Sequence, residues 1–206
     1  MARLNPRRWF LPETPDVLGL LRRQLAVTIE GADLLAEWSS GAAVASGDLR
    51  AVQARGEQSR RDLLSALEEA FITPLEPEDL YAISRGTGRI LSGIADLVGE
   101  AEVLECSPDD GLASMAKLLT EVVRQIDVAV AGLGPAAVAA ATSADLAIET
   151  VRQMQSPYYA GMATTLNLDD RGTRIARREL YRRCSRIGDI AVDVAERVVY
   201  SVVKQS

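Results

Sequence analysis

Asp189, Asp193 and Glu196 step by four and three residues, so on a helix they share one face with neighbouring carboxylates about 5–6 Å apart. Carboxylates at that separation can share a hard or borderline cation or a proton. The plainer alternative is a solvated stripe offset by Arg186 and Arg197. A metal site would need further carboxylates from a second helix, as in helical di-iron proteins. The stretch that could supply them, Ser84 to Ser92, reads SRGTGRILS and has no acid before Asp96.

The other cluster is basic. Arg174, Arg178 and Arg182 lie along one side of the same segment, with Arg171 before them and Arg177, Arg183 and Arg186 beside them. The forked donors of arginine suit carboxylates, phosphates and acidic partner surfaces, which makes these three the candidate partner-binding residues. No glycine-rich phosphate loop accompanies them.

The chain has 206 residues and no histidine, which removes Ser–His and Cys–His nucleophiles and every histidine metal site. No catalytic residue is assigned, and the expectation is a protein that is not an enzyme and carries no cofactor. A net charge of −6 argues against non-specific nucleic-acid binding, which needs a basic surface. Neither an apolar signal segment at the start nor a run of about 20 apolar residues is present, so a cytoplasmic protein without a membrane span is expected. Trp9 and Phe10 beside Arg7 and Arg8 form an amphipathic tip expected to dock back on the body of the protein.

These clusters need elements to position them. With 48% hydrophobic and only 4% aromatic residues, the core must be aliphatic, which favours helices. Leu180, Cys184, Ile187, Ala191, Val194 and Val198 alternate steps of four and three and draw an apolar seam along a last helix from about Arg174 to Lys204. Five more helices precede it. The first is capped by Asp16 and runs to about Ser39. The second runs from about Asp48 to Thr73, with Leu63, Leu64, Leu67, Ala70 and Phe71 as its apolar stripe. The third has Pro77 in its first turn and ends near Leu104. The fourth starts at a Ser107 cap with Pro108 in first position and runs to Val130. An Ala-rich fifth helix is kinked or ended at Ser156-Pro157, and Asp169 or Asp170 caps the sixth. The expected fold is all-α: six helices as two tandem antiparallel three-helix bundles, covering 1–104 and 105–206.

FITPLEPEDLYAIS, from Phe71 to Ser84, resembles the FITPxDREDIYAL signature of the PhoU-like phosphate-transport regulators, in the subfamily encoded beside Pit-type transporters. ELYRRCSRIGDIAVDVAERVV resembles the same family's LYRRLERIGDxAxxIAE segment. The resemblance implies two three-helix bundles in tandem and a non-catalytic regulator of phosphate uptake that contacts a Pit-type transporter or a signalling protein. Family members also carry two acidic motifs that bind a multinuclear iron or zinc cluster. Here the first acid of the C-terminal motif is Ser185, leaving Asp189 alone, and the first-half acids fall on Gly88 and Ser92. The metal chemistry is expected to be lost, with Asp189, Asp193 and Glu196 as its remnant. The alternatives are a metal-binding sensor using that remnant and a structural bundle that forms homo-oligomers.

Overall fold

The longest element runs most of the length of the molecule and touches both halves of the chain. In this computed structural model, which describes residues 15–134 and 136–204, it is the helix Arg171–Lys204. The six helices before it are α1 (Val17–Ser39), α2 (Ser46–Glu69), α3 (Pro77–Val103), α4 (Asp110–Ala131), α5 (Ala137–Gln153) and α6 (Gln155–Thr165), which makes the last one α7. The expected fifth helix is thus two pieces, α5 and α6, divided at Met154, with Pro157 in the first turn of the second piece. There its missing N–H costs no intrahelical bond. No strand occurs among the described residues. None of their helices is long and apolar enough to cross a membrane. Trp9 and Phe10 lie outside the described residues.

Side chains fix most helix starts. Asp16 accepts from the Gly19 N–H at 2.9 Å, Asp109 from Leu112 N–H at 3.0 Å and Asp170 from Thr173 N–H at 2.5 Å. The cap of α4 is therefore Asp109 and not Ser107, because Pro108 precedes the helix instead of opening it. Asp48 reaches back to the Ala45 N–H, and Glu102 at the end of α3 accepts from the Ser46 N–H at 2.6 Å. Two groups, one within α2 and one outside it, thus satisfy donors at its start.

The second helix stops at Glu69, four residues before the sequence pattern suggests. Ala70 is already extended, and Phe71 and Ile72 are 92% and 68% exposed in the loop that follows. Phe71 belongs to no core.

α1, α2 and α3 form one antiparallel group; α4, α5 with α6, and α7 form the other. The groups meet where α1 packs on α4 and where α3 runs antiparallel to α7, with Gly86 against Val194 and Gly93 against Ile187. A Cβ on Gly93 would sit 2.8 Å from Ile187, so the absent side chain sets how closely these helices approach. One continuous cluster of buried side chains, from Val17 to Val202, fills both groups and includes the whole predicted seam of α7. Inside it, the Gln24 amide donates to the Ser84 carbonyl at 2.9 Å and accepts from the Ser84 hydroxyl at 2.6 Å, which fixes the register of α1 on α3.

Candidate functional site

The apolar seam turns one side of α7 inward, so the opposite side must face water along the full 34 residues. Arg171, Arg178, Arg182 and Arg186, followed by Asp189, Asp193 and Glu196, occupy that outward side, and all seven are exposed. None of the seven side chains has a hydrogen-bond or ion-pair partner among the described residues. Ile175, Tyr200 and Val203 on the same ridge are exposed as well. The ridge is basic in its first half and acidic in its second.

The remaining arginines of α7 are used internally. Arg174 donates from Nε and Nη2 to the Leu168 carbonyl, at 3.2 and 2.6 Å, holding the loop before α7. Of the three candidate partner-binding arginines, only Arg178 and Arg182 keep their guanidinium groups free. Arg177 donates to Asp109 at 3.0 Å and to the Ser107 carbonyl, and Arg183 pairs with Glu100 and Asp96. Asp109 also accepts from the Tyr181 hydroxyl at 2.6 Å. Burial, and then the bond to Asp109, push the Tyr181 phenol above its ordinary value. That cluster is packing: Gly111 and Gly161 leave the space that the Tyr181 ring fills.

The acidic half spreads over adjoining grooves, and Asp193 and Glu196 share a shallow one with Arg197 and Tyr200. Asp189 and Glu196 line a groove of about 330 Å³ between α5–α6 and α7, with Ser185, Arg152, Tyr158 and Tyr159. Asp193 faces a second groove, between α3 and α7, beside Arg85, Arg89 and Arg197. Each groove thus holds at least one arginine next to its acids. Among the described residues no three carboxylate or thiol groups come together to hold a metal ion. Ser185 does stand beside Asp189, as the resemblance implies, but it brings a hydroxyl where the motif needs a charge. In the first half, Gly88 lies by Gln24 and Arg60, and Ser92 accepts from the Gln53 amide at 3.1 Å. Amides and a guanidinium are poor company for an iron or zinc cluster, and the residues present do not fit one.

Two groups here escape a reading of sequence alone. Arg85 and Arg89, four apart on α3, become part of a site only because α7 lies alongside. Tyr159, in α6, is exposed and lines the first groove. Cys184, by contrast, sits on the seam as expected, fully enclosed, and burial pushes its thiol up to about 12.

No family model matches the sequence, and no curated protein sequence does. Solved structures do match. The crystal structure of a PhoU-like protein from Shewanella oneidensis MR-1 superposes with a TM-score of 0.76 at 12% identity, over 91% of this chain and 99% of that one. A second structure from the same organism, described as a PhoU-like phosphate regulatory protein, gives a TM-score of 0.72 at 12% identity over the same shares. The chain has the PhoU-like fold over 91% of its length. Identity of 12% establishes the fold and nothing narrower.

Proposed function

We propose that this chain is a non-catalytic regulator of inorganic phosphate transport, working in the cytoplasm through protein–protein contact with a phosphate transporter of the Pit type or a signalling partner. The observation that carries the reading is the likeness, over 91% of this chain, to a protein described as phosphate regulatory. The two stretches that resemble the regulator signatures support it independently.

The contact we assign to the transporter begins in the first of those stretches. Phe71 and Ile72 open it, yet both project into water after α2 has ended. Two adjacent large apolar side chains held in solvent do nothing for the core and are available to a partner surface. Arg178 and Arg182 offer a second, polar surface on α7 for an acidic partner.

The test is co-purification of the phosphate permease with the tagged chain from membranes of the source cell, alongside phosphate uptake in a deletion strain. Phe71→Ser with Ile72→Ser should lose the permease and reproduce the deletion's uptake, while the protein stays folded. Uptake that is the same with and without the gene, at both high and low phosphate, would remove the regulatory reading.

A further inference from the structure

The groove between α3 and α7 holds charged groups that the proposed transporter contact does not use. Its volume is about 230 Å³, below the roughly 300–1,000 Å³ of sites that take drug-sized molecules. A small ion is the right size of guest. Gly86 lies against Val194 at its floor, so the missing side chain draws the two banks together. On the α3 bank stand Arg85 and Arg89, one turn apart and both exposed. Neither makes a hydrogen bond or an ion pair with any described residue. Like charges four residues apart on a helix repel, and nothing in the chain relieves these two.

On the α7 bank, Arg197 is already committed to Asp79. That leaves two free guanidinium groups against the one carboxylate of Asp193, which has no partner of its own among the described residues. The free charge of the groove is positive, so its guest is an anion. Forked arginine donors suit the oxygens of a tetrahedral oxyanion. The carboxylate then narrows the choice. Asp193 repels an oxyanion that carries no proton, but it can accept a charge-assisted hydrogen bond from one that keeps an O–H. Near neutral pH inorganic phosphate keeps a P–OH. Sulfate has none, and a phosphate monoester loses its own above about pH 6.

From this set of groups we infer that the α3–α7 groove binds free hydrogen phosphate, with Arg85 and Arg89 donating to its oxygens and Asp193 accepting from its hydroxyl. The bound ion relieves the repulsion between the two arginines and gives Asp193 a partner. It also ties α3, in the first group of helices, to α7, in the second. Binding follows from the groove's own groups; only its use as a signal rests on the regulatory function proposed above.

Backbone amide NMR of the full chain tests the site at about pH 8, where monoesters are fully ionised. The probes are inorganic phosphate, sulfate and glycerol phosphate at matched ionic strength. Phosphate should shift the Gly86 and Ile190 amide signals saturably, and bind about tenfold more tightly than either other anion. Arg85→Gln with Arg89→Gln should weaken phosphate binding by about tenfold or more. Asp193→Asn removes the repulsion and should bring sulfate to within about twofold of phosphate. Three results would each overturn the proposal. They are wild-type signals that follow sulfate as readily as phosphate, no saturable shift with phosphate, and a double arginine variant that binds as wild type does. Both arginines are exposed, so that variant should fold; if it does not, the wild-type comparison of phosphate with sulfate decides alone. Saturable, selective binding in a chain whose deletion leaves uptake unchanged would keep this site and remove the regulatory reading.

Discussion

Asp79 and Arg197 join the first turn of α3 to the last turns of α7: Arg197 Nη1 donates to Asp79 Oδ1 at 2.9 Å across 118 positions of sequence. Asp79 is 1% exposed, and Lys204 donates to its other oxygen at 3.2 Å. Both cations also lie against the Tyr200 ring, at 5.6 and 5.2 Å from its centre. A carboxylate removed from water is held by two partners whose own chains remain partly wet.

That asymmetry sets what removal of each partner does. Arg197→Ala leaves a buried carboxylate with one cation, and should lower stability in urea unfolding by about 1–3 kcal/mol. Asp79→Ala frees two cations that can reach water, and should cost less than Arg197→Ala. The reverse order would show that the buried carboxylate is not the constrained member.

Asp109 caps α4, accepts from Tyr181 and pairs with Arg177. Asp109→Ala removes a cap worth about 1 kcal/mol and leaves a buried phenol without an acceptor, for a total near 2–4 kcal/mol. Gly161→Ala drives a methyl group into the Tyr181 ring and its hydroxyl, and should destabilise the same region by displacing the Tyr181–Asp109 hydrogen bond while leaving the Asp109 cap in place. Thermal melts of both variants check the pair.

The Ser46 hydroxyl and N–H hold the Glu102 carboxylate below its ordinary value. A carboxylate whose folded value is depressed stabilises the protein above its unfolded value, and that contribution disappears as pH falls through the folded one. Glu102→Gln should therefore be less stable than wild type at neutral pH, with the gap closing below about pH 4. A gap that is constant with pH would mean the ionised form has no special role there.

Phe71→Ser with Ile72→Ser should change the unfolding free energy by less than about 0.5 kcal/mol, since neither side chain is buried. Cys184, in contrast, should resist thiol reagents until the protein unfolds, because a thiol pushed up to about 12 carries almost no thiolate at neutral pH. Reagent uptake by the folded protein settles the second point, and denaturant melts the first.

Metal analysis of protein purified without chelator should find iron and zinc well below one per chain. Arg152 stands in the groove of Asp189 and Glu196, and Arg85, Arg89 and Arg197 line the groove of Asp193, so a cation there would meet positive charge. Stoichiometric metal that is lost in Asp189→Ala would reverse it.

Much of this arrangement is legible in the sequence wherever a periodic pattern meets a side-chain cap. The seam from Leu180 to Val198, the start of α1 at Asp16 and the first turn of α3 at Pro77 are all of that kind. The end of α2 is not, because Ala70 and Phe71 continue the apolar period although no neighbouring helix waits for them. The carboxylate stripe of α7 is readable as a stripe. Its spread over the grooves on either side of α7 depends on α3 and α5, which no spacing within α7 reports. Arg174 looks equivalent to Arg178 and Arg182 on a helical wheel, and differs because the Leu168 carbonyl comes within its reach.

The tie from Asp79 to Arg197 and Lys204 bears on how the molecule is made. Synthesis delivers α1, α2 and α3 long before the last turns of α7, so a nascent first group must wait with Asp79 and the groove over Gly86 and Gly93 uncovered. The α3 face stays wet until nearly the whole chain has left the ribosome. A chain stalled short of Arg197 lacks both cations of Asp79 and should be a ready substrate for proteolysis.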